Sequence, residues 1–381
     1  MDTVNFGFPT DVRLGVGAVK SIPSLLQERG YKRPLLLADA GIAAQPFFSE
    51  IRKDLEAAGL SVSEYHDFRG NPLEKDVMAG VDVIRNHKAD SMVMVGGGAA
   101  MDVGKAVALM ANHSGSLFDF EDVPGAKQAT EQIPFMVAVP TTAGTGSEVG
   151  RSSVISENES KAKKIIFSPR LLPPLVIMDP ELTVGLPKDI TATTGMDALT
   201  HLVESYLAKG YHPMCDGIAL QGIQLIDNSL VKAYENPKDL EARGHMLVAA
   251  MMGAVAFQKG LGVTHSCAHA LSTVFDLHHG LANALMLEAC LVFNKDTATK
   301  QIASMSRMVG VLDRDENKAC DGFISWVGQL KISLGLKQGL ASYGVSITDR
   351  LLDVAMADVC HPLGPKPVTR SDFQNLFQEA L

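Results

Sequence analysis

Two hydrophobic patterns alternate along the first half of the chain. PLLLAD, SVSEY, SMVMVGGG, FMVAVP and LVIMDP are short runs rich in Val, Ile, Leu and Met, as in strands buried on both faces. Between them AVKSIPSLLQERG, SEIRKDLEAAGL and VMAGVDVIRNHK place apolar residues at helical spacing. This alternation predicts a parallel sheet with helices on both faces. The polar, β-branched stretch RSSVISENESKAKKIIFS predicts a local hairpin. After about Leu186 the strand-like runs stop and long helical patterns take over, such as CDGIALQGIQLIDNSLVKAYE, LEARGHMLVAAMMGAVAFQ and GFISWVGQLKISLGL. TVGLPKDIT, with Gly185, Pro187 and Thr191, supplies the break. The expectation is an N-terminal α/β Rossmann-like domain over 1–184 and an all-α C-terminal domain over 185–381. No repeat of solenoid length is visible.

Composition narrows the class. A chain of 381 residues exceeds a typical single core, and 46% hydrophobic with 20% charged residues is ordinary for a globular protein. The longest apolar runs fall well short of the roughly 20 residues that span a bilayer, so no membrane role is expected. Net charge is −9, and the one basic cluster, KAKK at 161–164, is too short for a nucleic-acid footprint. The five cysteines, at 215, 267, 290, 320 and 360, form no CxxC pair and read as buried thiols in a reducing compartment. MDTVNFGFPTDVRLG lacks a basic region followed by an apolar run, so no signal peptide is expected and the predicted location is cytoplasmic.

Two loops suggest a nucleotide. In VMVGGGAAMDVGKAVALM, Gly96, Gly97 and Gly98 lie between a strand and a helix, where backbone N–H groups and the helix N-terminus favour a phosphate. A tight turn without a ligand is the plain alternative. The dinucleotide fingerprint GxGxxG is absent. Asp39, at the end of the PLLLAD strand, is placed to bond the ribose diol of NAD and repel the 2′-phosphate of NADP; a simple helix cap is its other reading. PTTAGTGSEVG, at 140–150, follows a second core strand with three threonines, a serine and three glycines in its loop. Open α/β sheets bind ligands at such strand ends.

TGMDALTHLVESY carries Asp197 and His201 four apart on one helix face. In GLGVTHSCAHALSTVFDLHHGLANALML, His265 and His269 are also one turn apart, and His278 and His279 come after them. On one continuous helix His265 and His279 would stand roughly 21 Å apart, whereas bonds to one ion are about 2 Å. Either the helix breaks or the two serve different sites. VFDLHHG offers the break, with Asp276 ending one element and Gly280 loosening the next. An ordinary hydrogen-bonding role suits His278, and Cys267 lies on the wrong face to join His265 and His269. One carboxylate with three neutral imidazoles leaves a divalent ion at about +1, able to acidify an alcohol. Nitrogen and oxygen donors without thiolate suit Fe²⁺, Zn²⁺, Ni²⁺ or Co²⁺.

The motifs GGGxxxDxxK at 96–105, PTTAGTGSE at 140–148, TGMDALTH at 194–201 and GLGxxHxxAH…HG at 260–280 resemble, in order and spacing, those of the iron-containing (group III) alcohol dehydrogenases, over essentially the whole chain. The resemblance implies the dehydroquinate synthase-like architecture of that family, with an NAD(P)-binding α/β domain and a helical metal-binding domain. It implies Asp197, His201, His265 and His279 as metal ligands and His269 as a nearby catalytic histidine that relays a proton. It implies cofactor contacts at Asp39, Asn71, Gly97, Gly98, Thr141, Thr142, Thr145, Lys163 and Leu182. Ala99, Gly150, His278 and CHPLGPKPVTRSD depart from the family pattern, and none replaces a proposed ligand. The implied reaction is NAD-linked interconversion of a small primary alcohol or diol and its aldehyde, with Fe²⁺ as the family metal. The alternatives are a zinc polyol dehydrogenase of the glycerol type, a dehydroquinate synthase-like lyase, and a metal-dependent binding protein without turnover. A small-molecule substrate, no nucleic acid, and a homodimer or higher homo-oligomer complete the expectation.

Overall fold

The computed structural model describes residues 10–159, 162–336 and 338–381. The first nine residues, on which part of the signal-peptide reading rests, and Lys161 of the basic cluster lie outside them. Two compact units are present. One holds residues 10–142 and Gly146–Val184; the other holds Ala143–Thr145 and Gly185–Leu381.

The first unit runs β1 (Asp11–Leu14), α1 (Ile22–Glu28), β2 (Pro34–Leu37), α2 (Ala40–Ala43), α3 (Pro46–Ala57), β3 (Ser63–Tyr65), α4 (Glu74–His87), β4 (Ser91–Gly96), α5 (Gly98–Asn112), β5 (Phe135–Pro140), β6 (Ser152–Ser156), β7 (Lys163–Phe167) and β8 (Leu175–Met178). Six strands form a parallel sheet in the order β1-β8-β5-β4-β2-β3. Alternation along the strands sorts the side chains. Leu36, Val93, Val95, Val137, Val139 and Ile177 join Ile22 and Leu26 of α1 and Ile51 and Leu55 of α3 in one core. On the other face Met94 lies against Gly104 of α5, where no Cβ has room. Cover on both faces explains why these strands read as continuous apolar runs. The β1 strand was not anticipated. Among the described residues DVRL has β8 as its one strand neighbour and is largely exposed, so it needs no apolar run. The expected hairpin is β6–β7, antiparallel from Ser152↔Phe167 to Ser156↔Lys163.

The second unit is helical: α6 (Lys188–Leu207), α7 (Pro213–Glu235), α8 (Leu240–Ala256), α9 (Val263–Phe275), α10 (His279–Met308), α11 (Glu316–Ser333), α12 (Asp349–Ala357) and α13 (Arg370–Ala380). Helix α6 packs against α7, α8 and α10 and is buried nearly all round. No single described helix is long and apolar enough to cross a membrane. The break between His265 and His279 falls at Asp276, which ends α9 in the left-handed conformation at φ 53°. Gly280 does not loosen the next helix. It lies in the first turn of α10, against the Thr193 backbone of α6, where a Cβ would collide with the Thr193 carbonyl. Its role is close helix approach.

Candidate metal centre and cofactor loops

The two glycine loops lie side by side because their strands do. β4 pairs with β5 through Gly96↔Pro140, and the Thr141 N–H donates to the Gly96 carbonyl at 3.0 Å. Gly96 has φ 150°, a left-handed-side value that glycine tolerates. Gly97 caps α5 and Gly98 begins it; a Cβ on Gly97 would meet Thr142 Oγ1 at 3.0 Å. β2 pairs with β4 on the opposite side, which brings Asp39 to the same edge. The order of connection reverses between β2 and β4, the kind of switch point where such sheets take ligands. Asp39 Oδ1 accepts from the Gly41 and Ile42 N–H groups at 2.8 and 3.2 Å, so the residue is a helix cap. Its Oδ2 lies beside Gly96, 3.5 Å from where a Cβ would stand. Thr141 Oγ1 is buried without a hydrogen-bond partner, which suits a polar ligand.

Asp39, Gly97, Gly98, Thr141 and Thr142 are therefore neighbours. Asn71 lines a hollow with Ala40, Arg69 and Leu73. Lys163 pairs with Ser156, whose N–H donates to the Pro72 carbonyl at 2.9 Å, so Lys163 and Asn71 flank one junction. Leu182 is buried in the apolar core under the sheet, and Thr145 belongs to the helical unit. Sequence reasoning assigned no role to Lys105. Its fully buried ammonium donates to Ser147 Oγ at 2.7 Å, to the Ser147 carbonyl at 3.0 Å and to the Ser152 carbonyl, tying α5 to the second loop.

In the helical unit three helices converge. α6 presents Asp197, His201 and Glu204 on one face; α9 presents His265 and His269; α10 presents His279 and Asn283. One donor atom from each of Asp197, His201, His265 and His279 lies within 4.8 Å of the others. His279 Nε2 is 3.4 Å from Asp197 Oδ1, and the His201 and His265 rings stack at 4.7 Å. Asn283 Nδ2 donates to Asp197 Oδ1 at 2.7 Å and lies 3.2 Å from His279 Nε2 and 3.4 Å from His265 Nε2. His278 is exposed and outside this cluster.

The donor set fits a cation. Lone pairs that converge in a buried place repel unless a positive group lies among them. Burial pushes the His201 pKa down to about 4, so that ring is neutral near physiological pH, and its Nδ1 is buried without a hydrogen-bond partner. Burial also opposes the Asp197 charge, yet the His201, His279 and His265 rings and the Asn283 amide hold its carboxyl below the usual range. Burial likewise pushes the His279 ring down, and neutral imidazoles beside an ionised carboxylate are the form metals bind.

Three supporting residues escaped sequence reasoning. Glu204, 3% exposed, accepts from His265 Nδ1 at 2.7 Å and from the N–H groups of Gly262, Thr264 and His265 at 3.0, 2.6 and 3.1 Å. It caps α9 and fixes which imidazole nitrogen of His265 faces the cluster, as outer-shell carboxylates of metal sites do. Asn283 is the second. The third is Asp358, at the end of α12, which accepts from His269 Nδ1 at 2.8 Å and from Ser266 Oγ at 2.7 Å. The His269 ring stacks on His279 with centroids 5.2 Å apart.

A dinucleotide-type sheet edge and a buried aspartate–histidine cluster define a metal- and nucleotide-dependent enzyme class. Residues 9–180 match the model of iron-containing alcohol dehydrogenases, and residues 191–381 match that of the C-terminal part of the same family. The chain belongs to the iron-containing alcohol dehydrogenase family. It is 34% identical to the 4-hydroxybutyrate dehydrogenase of Cupriavidus necator, over 98% of each chain. It is 34% identical to the NAD-dependent methanol dehydrogenase of Bacillus methanolicus, over 99% of this chain and 100% of that one. Among solved structures, a 1,3-propanediol oxidoreductase superposes with a TM-score of 0.95 at 32% identity over 100% of both chains. The protein is an NAD-dependent alcohol oxidoreductase that uses a metal.

Proposed function

We propose that Asp197, His201, His265 and His279 hold Fe²⁺, with Zn²⁺, Ni²⁺ and Co²⁺ as other ions this donor set accepts, and that the enzyme interconverts a small primary alcohol or diol and its aldehyde. The convergence of these four side chains carries the reading. Similarity to methanol, 1,3-propanediol and 4-hydroxybutyrate dehydrogenases supports the substrate class. Held by these four residues, such an ion would supply Lewis-acid polarisation of the substrate oxygen, and a bound nicotinamide would supply the hydride acceptor. Glu204 holds His265 in the tautomer whose Nε2 faces the cluster. Asp358 accepts the Nδ1 proton of His269, which leaves Nε2 to take the alcohol proton and pass it to solvent along the exposed edge of the ring.

Residues 1–184 are assigned to the cofactor and 185–381 to the metal. Asp39 reads the ribose with Oδ2, Gly97 and Gly98 receive the pyrophosphate at the α5 N-terminus, and Thr141, Thr142, Thr145, Asn71, Lys163 and Leu182 complete the nucleotide contacts. Five buried free cysteines support a reducing, cytoplasmic setting, and a homodimer or higher homo-oligomer is the proposed state, since most soluble oligomers are symmetric homo-oligomers and dimers are the commonest. The test is metal analysis of the purified protein, with NADH formation followed over a panel of short alcohols and diols before and after chelation. About one ion per chain with chelator-sensitive NADH formation supports the reading. Bound metal without NADH from any alcohol overturns the substrate class; full activity without metal overturns the ligand assignment.

A further inference from the structure

We propose that His269, Asp358 and Cys360 form a second cation site, distinct from the four-residue cluster and suited to a thiophilic divalent ion such as Zn²⁺. One donor atom from each of the three lies within 4.8 Å of the others. The two oxygens of Asp358 are used differently. Oδ1 is anchored by Ser266 Oγ at 2.7 Å and by the Cys360 N–H at 2.9 Å. Oδ2 faces His269 Nδ1 at 2.8 Å. The anchored oxygen fixes the carboxylate, and the other is a ready ligand. Metal bonds of about 2.0–2.3 Å set tetrahedral donors roughly 3.3–3.8 Å apart, so the Nδ1–Oδ2 pair opens by only about 0.5 Å. Cys360 is buried while the His269 side chain is 35% exposed, which gives an ion an entry path.

The donor set differs in kind from the first. It contains a sulfur, and sulfur with nitrogen and oxygen favours Zn²⁺ over the harder cations. Burial, with Asp358 alongside, keeps the Cys360 thiol protonated, so the thiolate forms only with an ion present. On binding, the thiol proton leaves to solvent, the imidazole proton moves from Nδ1 to Nε2, and the ion bonds Nδ1, Oδ2 and Sγ. A proton on Nε2 removes the acceptor assigned above to the alcohol proton. Excess Zn²⁺ therefore lowers kcat, a consequence that rests on the proposed role of His269, whereas the binding itself does not.

Protein saturated with Zn²⁺ at the first site is titrated with Cd²⁺, and the ultraviolet thiolate-to-cadmium charge-transfer band is recorded. The first cluster has no sulfur and gives no such band. The expected result is a saturable band worth one added equivalent per chain, lost in Cys360→Ser and Cys360→Ala with the first-site metal still bound, and kept in His265→Ala after that metal has gone. In turnover, the Cys360 variants resist the several-fold loss of kcat that excess Zn²⁺ causes in the parent. No band in the parent, or an unchanged band in both Cys360 variants, overturns the proposal. A normal band without inhibition overturns the His269 role and leaves the site standing.

Discussion

Glu204 Oε2 accepts from both the ring Nδ1 of His265, at 2.7 Å, and the backbone N–H of the same residue, at 3.1 Å. One buried carboxylate thus fixes the position of a proposed ligand and its tautomer together. The His265 contacts outweigh burial and hold the Glu204 carboxyl below its usual range. Replacing Glu204 by Ala strands the first-turn N–H groups of α9 and frees the imidazole. The expected loss is about 3 kcal/mol of unfolding free energy in the metal-free protein, with faster metal loss to a chelator. Denaturant unfolding of the apo protein measures the first effect. A metal-free stability equal to the parent's would show that the carboxylate contributes nothing of the kind.

His265 and His278 make a matched pair for testing the ligand assignment. His265 is 1% exposed and inside the donor cluster, whereas His278 is exposed and outside it. His265→Ala should lose the ion and fall in kcat by several orders of magnitude, since no remaining group replaces the missing bond. His278→Ala should keep the full metal content and most of the activity. Metal analysis after gel filtration separates the two. Equal metal content in both variants would remove His265 from the site.

What the sequence made legible was local. The core strands of the first unit show as apolar runs because both faces of the sheet are covered, and the ligand pairs show because residues four apart share a helix face. The helix break was legible in VFDLHHG, where Asp276 ends α9 as expected, while Gly280 serves close helix approach and does not loosen α10. The missed features depend on distant partners. Glu204 meets His265 across 61 residues, Asn283 meets Asp197 across 86, and Asp358 meets His269 across 89. Glu204 looked like one more polar position in TGMDALTHLVESY. Only packing of α6 against α9 turns it into a cap. The β1 strand escaped because an exposed edge strand carries no hydrophobic signature.

Asp39 has two jobs that one substitution can separate. Its Oδ1 caps α2, and Oδ2 lies beside Gly96. Asp39→Gly removes charge and cap together, whereas Asp39→Asn keeps a good cap and removes only the charge. The Asn variant should stay within about 0.5 kcal/mol of the parent in stability while its kcat/KM with NADP rises relative to NAD. The readout is the ratio of the two kcat/KM values. If that ratio holds constant in a stably folded Asn variant, Asp39 does not read the ribose and is a cap alone.

Glu148, 3% exposed at the end of the second loop, has its pKa pushed up to about 7 by burial, against the opposing pull of its own backbone N–H and the Lys105 ammonium. The ordinary value is 4.5, so between these two values the folded chain keeps a proton that the unfolded chain has released. The associated stability is fully present below the lower value, declines as pH rises, and is gone above the higher one. A shift of this size amounts to about 3 kcal/mol. Glu148→Gln keeps the shape and cannot ionise. Unfolding free energies of parent and variant should therefore diverge from about pH 5 to about pH 8, with the variant gaining by that order of magnitude. Denaturant titrations across this range check the sign. A gap that stays constant, or that closes as pH rises, would show that the folded protein carries an ionised Glu148 throughout.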